Sequence, residues 1–164
     1  ESLINEAAEI MKSSPAELPA KAAAAAEKIK GLTKELESIK RDMAYGNLDE
    51  LISKSVVING ISVITGRFDM LSGEALRDMA EKLRDKAECS LVLLASGKDG
   101  KVQLVSMASK NAVAAGVKCG SVIKQAAAMC GGGGGGRPDM AQAGGRNPEA
   151  IDEMLSKVPE MLRL

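Results

Sequence analysis

The sequence predicts an α/β fold, a small mixed-sheet sandwich with helices, preceded by a long helix of the coiled-coil type. Two observations lead to this. Apolar residues recur at alternating spacings of four and three between positions 18 and 43, the pattern of a helix that pairs with another helix. Further along, short runs rich in β-branched residues alternate with amphipathic segments, which indicates a sheet covered by helices. The composition, 45% apolar and 27% charged, is that of a globular chain.

Two helical segments are predicted ahead of the sheet, residues 1–13 and 14–46. The first is a short amphipathic helix that a proline ends. Ser14 is expected to cap the second helix, with Pro15 at its first position. Glu17 would then complete a Ser-x-x-Glu capping box, in which each side chain bonds the other residue's backbone N–H.

The apolar seam of the second helix predicts pairing with a further helix. It consists of Leu18, Ala22, Ala25, Ile29, Leu32, Leu36, Ile39 and Met43. The seam could instead lie on the chain's own globular domain, but a helix of ~30 residues is longer than a small domain is wide, which favours helix–helix pairing. We therefore predict a homodimer held by the larger residues of the second half, Ile29, Leu32, Leu36, Ile39 and Met43.

Residues 47–164 are predicted to form one globular α/β domain. Asn59-Gly60 between two β-branched runs is a strong hairpin signal. The continuously apolar run Leu91–Ala95 predicts a strand covered on both faces, and Gly97–Gly100 is expected to turn it into the next strand. The same reasoning gives strands at 56–58, 61–65 and 102–108 and helices at 72–87, 121–129 and 147–157.

A run of six glycines, Gly131–Gly136, lies inside this domain between two predicted helices. A flexible linker is excluded because helical sequence resumes within a dozen residues. A Rossmann or P-loop phosphate cradle fits poorly, because the run follows a helix and not a strand and contains no Gly-Lys-Ser/Thr. We therefore predict a glycine-rich loop over residues 131–145 whose amides approach another backbone closely. That backbone is either the protein's own or a phosphate chain, and the sequence favours neither.

Basic residues surround the glycine run. Residues 95–150 contain seven bases and three acids, although the net charge of the chain is zero. Arg137 and Arg146 bracket the run and suit phosphate contacts, and Lys118 and Lys124 precede it. An ion pair between Arg137 and Asp139 is the alternative for that arginine.

Missing residue types exclude several function classes. The chain has no histidine and no tryptophan, and only one tyrosine and one phenylalanine. A histidine-dependent catalyst and an RNA binder that stacks bases on aromatic side chains are therefore not expected. The three cysteines, Cys89, Cys119 and Cys130, have spacings of neither a disulfide framework nor a zinc site, so we expect small buried side chains in a reducing compartment. No catalytic residue, metal or membrane segment is predicted.

Several stretches carry a resemblance to a known family. GGGGGGRPDMAQAGG resembles the pattern of the C-terminal domain of alanyl-tRNA synthetases, a glycine-rich loop, Arg-Pro, then Ala-Gln-x-Gly-Gly. SSPAELPAKAAAAAEKIKGLTKELESIK is similar to the coiled-coil linker ahead of that domain, and LVLLASGKDGKVQLV and VKCGSVIKQAAAMC also lie where the family has them. The sixth glycine departs from many relatives, which have Lys or Arg there. The accessory domain of the Asp-His-His phosphoesterases is related.

The resemblance implies a non-catalytic module that contacts the elbow of tRNA(Ala) and contributes to dimerisation. The chain would be a C-terminal piece of a cytoplasmic alanine–tRNA ligase, with no cofactor of its own. ATP, Mg and Zn would serve only the upstream domains of that enzyme. Together with the basic residues, the resemblance gives the expected tRNA-binding set: Lys118, Lys124, Gly131, Gly132, Gly133, Gly134, Gly135, Gly136, Arg137, Gln142, Gly144, Gly145 and Arg146.

Other functions stay open at this point. The chain could be the C-terminal substrate-binding domain of an Asp-His-His phosphoesterase, in which the glycine loop would hold a substrate phosphate, or of a long freestanding alanyl-tRNA editing protein. It could also be purely an oligomerisation segment, with the glycine loop serving only packing. Binding to DNA is not expected in any of them.

Overall fold

The computed structural model describes residues 2–162, and these form two compact units that divide between Ile39 and Lys40. The helices are α1 (Ser2–Ile10), α2 (Leu18–Gly46), α3 (Leu48–Ser53), α4 (Gly73–Arg84), α5 (Lys110–Ala114), α6 (Cys119–Met129), α7 (Ile151–Ser156) and α8 (Val158–Met161). The strands are β1 (Val56–Ile58), β2 (Ile61–Asp69), β3 (Ser90–Lys98), β4 (Lys101–Ala108), β5 (Gly133–Gly136) and β6 (Met140–Gly145). Helices before a mixed sheet confirm the predicted fold class.

The long helix α2 begins later than predicted. Its first residue is Leu18, so Pro15 lies in the turn that precedes it. The Glu17 carboxylate accepts hydrogen bonds from the backbone N–H (3.4 Å) and the hydroxyl (2.9 Å) of Ser14. The backbone N–H of Glu17 bonds the Ser14 carbonyl and leaves the hydroxyl without its expected role as acceptor. Only one half of the capping box forms, and it closes a turn instead of starting the helix.

The Asn59-Gly60 hairpin is confirmed. Both residues have positive φ, 50° and 80°, as a type I′ turn requires. The turn sets the antiparallel register of β1 on β2, with Ile58 directly opposite Ile61. From β2 the chain crosses through α4 to β3, which runs parallel to β2.

The sheet has six strands in the order β1-β2-β3-β4-β6-β5. Its centre is β3, where Leu91, Leu93 and Ala95 face one side and Val92 and Leu94 face the other. All five side chains are fully buried, which confirms the prediction of a strand covered on both faces. The sheet therefore separates two apolar clusters.

One face of the sheet is covered by α4, whose Leu76, Met79, Ala80 and Leu83 are buried against β3 and β4. Ala44, in the last turns of α2, belongs to the same cluster. The opposite face is covered by α6, α7 and α8, through the buried residues Val122, Ile123, Ala126, Ala127, Ile151, Met154 and Val158.

Three local features differ from the sequence prediction. The helix expected over 147–157 is a 3₁₀ turn, Pro148–Ala150, followed by the short α7. Helix α5 was not predicted, and Ser109 starts it by accepting a hydrogen bond from the Ala112 N–H (3.3 Å). The predicted loop over 131–145 is wrong, because most of it forms β5 and β6. Glycine has low strand propensity, so no strand pattern marked this segment.

We predict that Ser96→Ala lowers the free energy of unfolding by about 2–4 kcal/mol. The buried Ser96 hydroxyl accepts a hydrogen bond from the Leu71 N–H (2.9 Å) and donates one to the Leu71 carbonyl (3.0 Å). Its removal leaves two buried backbone groups unpaired, at about 1–3 kcal/mol each. Urea unfolding followed by circular dichroism measures the effect. Ser121→Ala, on the exposed surface of α6, is the control and should stay within about 0.5 kcal/mol of wild type.

Candidate RNA-binding site

The glycine run forms the edge of the sheet. β5 pairs antiparallel with β6, with Gly134 opposite Ala143 and Gly136 opposite Ala141, and β6 pairs with β4 on its other side. The turn between the two strands is closed by a hydrogen bond from the Arg137 N–H to the Met140 carbonyl (2.8 Å). The segment is therefore a β-hairpin joined to the sheet through β6.

Alternate glycines of this hairpin have opposite surroundings. A Cβ on Gly134 would meet the Ala143 Cα and the Gln142 carbonyl oxygen, and a Cβ on Gly136 would lie 2.5 Å from the Met140 carbonyl oxygen. Gly133 and Gly135, which alternate with them, have no atom within 4 Å of the position of a Cβ. The protein's own packing thus requires glycine at every second position only.

Helix α6 lies directly on the hairpin and requires further glycines. A Cβ on Gly120 would lie 2.7 Å from the Gly136 carbonyl oxygen, so the helix contacts the backbone of the edge strand. At the other end of α6, a Cβ on Gly145 would lie 2.6 Å from the Cys130 carbonyl oxygen. The sequence left two explanations for these glycines, close contact with the protein's own backbone or with a phosphate chain. At Gly120 and Gly145, close contact with the protein's own backbone explains the glycine.

Backbone hydrogen bonds fix both ends of the hairpin to α6. The Gly132 N–H bonds the Ala127 carbonyl (2.8 Å), and the Cys119 N–H bonds the Pro138 carbonyl (2.9 Å). The Cys130 carbonyl accepts from the N–H groups of Arg146 (2.9 Å) and Asn147 (3.0 Å). The hairpin and α6 therefore position nearby side chains as one rigid block.

The basic residues expected at the site fall into three places. Lys118 and Lys124, on α6, line a cleft of about 440 Å³ together with Gly135 and Gly136. Arg146 lines a different cleft, of about 520 Å³, at the opposite end of the hairpin. Neither lysine forms an ion pair with any carboxylate in residues 2–162.

Arg137 forms the ion pair that the sequence offered as its alternative. Its Nε lies 3.2 Å from the Asp139 carboxylate, and a second contact joins NH2 to the other oxygen at 3.4 Å. The side chain is 72% exposed, so solvent weakens the pair and the guanidinium can exchange this partner for another anion.

Gln142 lies in the middle of β6, opposite Gly135, and its side chain is exposed. The prediction from sequence missed Lys98, Lys101 and Gln103, which lie close to the hairpin on the neighbouring strands. The Asp99-Gly100 pair could have indicated that the two lysines face each other, because a two-residue turn places its flanking residues side by side.

Cys119 and Cys130 are buried as expected, whereas Cys89 is only half-buried, and the two buried thiols do not provide a nucleophile. Burial raises the pKa of the Cys119 thiol to about 11, and burial also raises the pKa of Cys130. Both thiols stay protonated near neutral pH and are unreactive, since the thiolate is the nucleophile. Within residues 2–162 there is also no cluster of three side chains of the types that bind metals. In the same part of the chain, no helix has the length and apolar character of a membrane span.

Comparison with known proteins agrees with this geometry. The DHHA1 domain family matches residues 60–163, and that match includes the sheet from β2 onward, α6 and the glycine hairpin. The chain belongs to the DHHA1 domain family. It is 41% identical, over 99% of its length, to the alanine–tRNA ligase of Acetivibrio thermocellus, and it spans 18% of the length of that ligase.

Two solved structures are similar to the DHHA1 chain. The C-Ala domain of Aquifex aeolicus alanyl-tRNA synthetase matches with a TM-score of 0.62 and 32% identity, over 66% of this chain and 97% of that one. A DHH-domain protein described as a member of a family of ribosomal proteins matches in fold alone, with a TM-score of 0.51 and 19% identity, over 83% of this chain and 33% of that one. The first match confirms the resemblance, read from the sequence, to the C-terminal domain of alanyl-tRNA synthetases.

We predict that two adjacent glycines respond oppositely to the same substitution. Gly134→Ala should lower the free energy of unfolding by about 2–4 kcal/mol, because the new methyl group would force β5 away from β6. Gly135→Ala should be neutral or stabilise by up to about 1 kcal/mol, because the methyl group enters open space and removes glycine's extra entropy. Thermal and urea unfolding of the two variants test this. Equal losses in both would contradict the alternation.

Proposed function

We propose that this chain is the tRNA-binding and dimerisation module of an alanyl-tRNA synthetase. It grips the elbow of tRNA(Ala) through backbone and shape, and it has no catalytic step or cofactor of its own. The activation of alanine, the editing of mischarged tRNA, and the ATP, Mg and Zn that these reactions use belong to other parts of the whole enzyme. We place that enzyme in the cytoplasm.

The observation that carries the proposal is the cleft between α6 and the glycine hairpin. Lys118 and Lys124 line it from α6, and the exposed backbone of Gly135 and Gly136 lines it from the sheet edge. Because the glycines have no side chains, a phosphate chain can approach their N–H groups closely.

The chemistry of the remaining surface supports a grip on backbone and shape. The chain has one tyrosine, one phenylalanine and no tryptophan, and Tyr45 lies under the Lys82 ammonium at 4.0 Å. RNA recognition without stacking side chains depends on phosphate and sugar contacts, which read the form of the molecule more than its bases. Arg137 joins these contacts when its exposed pair with Asp139 opens.

The dimerisation part of the proposal rests on the seam of α2. Ile29, Leu32, Leu36, Ile39 and Met43 are between 49% and 69% exposed in the single chain. Burial of a Leu or Ile side chain stabilises by about 1.5–3 kcal/mol, and several together offset an association cost of about 4–15 kcal/mol. A second copy of the same seam provides the matching knobs and holes.

We predict that Lys118→Gln with Lys124→Gln weakens tRNA binding and lowers its salt dependence. Each lost phosphate contact reduces the slope of log affinity against log salt by about 0.7–0.9, so the double variant should lose about 1.4–1.8. Fluorescence anisotropy with labelled tRNA(Ala) across a salt series measures this. Wild type should also prefer the folded tRNA to an unstructured RNA of equal length.

The matched control is Lys54→Gln with Lys86→Gln, which removes two exposed lysines that line none of the clefts beside the hairpin. This variant should keep the wild-type slope. Equal affinity of wild type for the two RNAs would contradict recognition of shape, and an unchanged slope in the Lys118/Lys124 variant would remove α6 from the contact surface.

We predict that Leu36→Lys shifts the chain from dimer to monomer in sedimentation equilibrium. The substitution puts a charge at the centre of the seam, where a paired helix would bury it. Ser38→Lys adds the same charge two residues away, off the seam, and should leave the dimer intact. A wild-type chain that stays monomeric at high micromolar concentration would refute the pairing.

A further inference from the structure

The two faces of the sheet differ in how far helices cover them. α6 packs over β4, β5 and β6 on one face, whereas α4 on the other face packs over β3 and β4. By strand alternation, Lys101 and Gln103 face the α4 side, and the register places Lys98 and Gln142 on that side too. Both glutamines and Lys101 are exposed. Beyond α4, this corner of the sheet is open to solvent.

Lys98 and Lys101 form a like-charge pair at this corner. They lie directly opposite each other across the turn Asp99-Gly100, whose φ values of 50° and 72° define a type I′ turn. Like charges in opposite positions destabilise a hairpin. Neither lysine has a carboxylate within ion-pair distance among residues 2–162, whereas Arg67, Arg84 and Arg137 are all paired.

A cleft of about 520 Å³ runs from this turn to the base of the glycine hairpin. Its polar side chains are Lys101, Gln103, Arg146 and one carboxylate, Asp99; backbone of Gly131, Gly132, Gly144 and Gly145 provides much of the rest. Arg146 has no ion-pair partner in the described chain either. Together with Lys98, this region has three cations, Lys98, Lys101 and Arg146, and one carboxylate, Asp99. The rest of its surface is mostly backbone and side-chain amide.

We infer that this open corner, formed by Lys98, Lys101, Gln103, Gln142 and Arg146, is a second RNA contact surface. It binds the phosphate–sugar backbone of the same tRNA that the cleft beside α6 holds, so the inference rests on the proposed function. The excess of cations complements a polyanion, and the amides of Gln103 and Gln142 can bond ribose hydroxyls and phosphate oxygens. No exposed large apolar side chain is among the described residues that line the cleft, so the cleft itself offers no apolar anchor to a protein partner.

The second surface also accounts for glycines that the fold does not require. Gly133 and Gly135 face the same side as Gln142, and no protein atom lies within 4 Å of where their Cβ atoms would be. With no side chain there, RNA can cross β5 from the cleft beside α6 to the open corner. RNA then contacts both faces of the hairpin, beside Lys118 and Lys124 on one face and beside Lys98 and Lys101 on the other.

The test is a salt series of tRNA affinity for the chain with Lys98→Gln and Lys101→Gln. The double variant should bind at least tenfold more weakly at low salt, and its log–log slope should fall by about 1.4–1.8 relative to wild type. Its melting temperature should be equal to or higher than that of wild type, because a like-charge pair is removed. Weaker binding without a loss of thermal stability shows that the two lysines contact RNA and do not merely stabilise the fold.

The control is again Lys54→Gln with Lys86→Gln, which should keep both affinity and slope. Wild-type affinity and slope in the Lys98/Lys101 variant would overturn the second surface while the cleft beside α6 stands. No binding of tRNA by wild type would instead overturn the proposed function. As a second variant, Gly135→Thr adds a side chain to the open face; intact stability with at least tenfold weaker binding is expected, and unchanged binding would also overturn the inference.

Discussion

The contact of α6 with the peptide backbone of β5 is the constraint on which the rest of the site depends. A Cβ on Gly120 would lie 2.7 Å from the Gly136 carbonyl oxygen, so the helix cannot carry a side chain at that point. A side chain on Gly136 is excluded by Met140 and Ala141 of β6. Because α6 lies this close to the backbone of β5, the hairpin can pair with β4 through β6 and extend the sheet beyond the central strands. Dense backbone packing of this kind resists deformation, so the basic side chains around it keep fixed relative positions.

The central part of the fold could be predicted from sequence, because its signals are local. Asn59-Gly60 has the residues that a type I′ turn needs, and Ser72 caps α4 by accepting a hydrogen bond from the Ala75 N–H (3.2 Å). Leu91–Ala95 is recognisable as buried on both faces because each residue is apolar. In contrast, β5 has no side chains and therefore no alternation, and its pairing with residues 141–144 depends on long-range geometry. The start of α2 was misplaced because Ser14 and Glu17 form a local turn that competes with the helix.

For the candidate site, the types of residue involved could be predicted from the sequence better than their positions in the structure. Lys118 and Lys124 do come together with the glycine run, since one helix carries both. Arg146 follows the run in sequence, yet the hairpin carries it to the other end of the sheet edge. From the sequence, Lys98 and Lys101 are recognisable only as part of the basic excess. Their positions opposite each other become known only with the register of β3 and β4. Composition cannot reveal which cations remain without carboxylate partners.

The uniform edge strand has a consequence at the level of the gene. Side chains normally fix the register of a strand, and in a run of identical glycines one register resembles the next. Here the register is set at the two ends of the run, by the bond from Gly132 to Ala127 and the bond from Arg137 to Met140. If one glycine codon were gained, every strand position that faces β6 would still be a glycine. A strand of varied side chains would instead have each later side chain moved to the opposite face. The run of glycines therefore makes this strand more tolerant of a change in length than an ordinary strand.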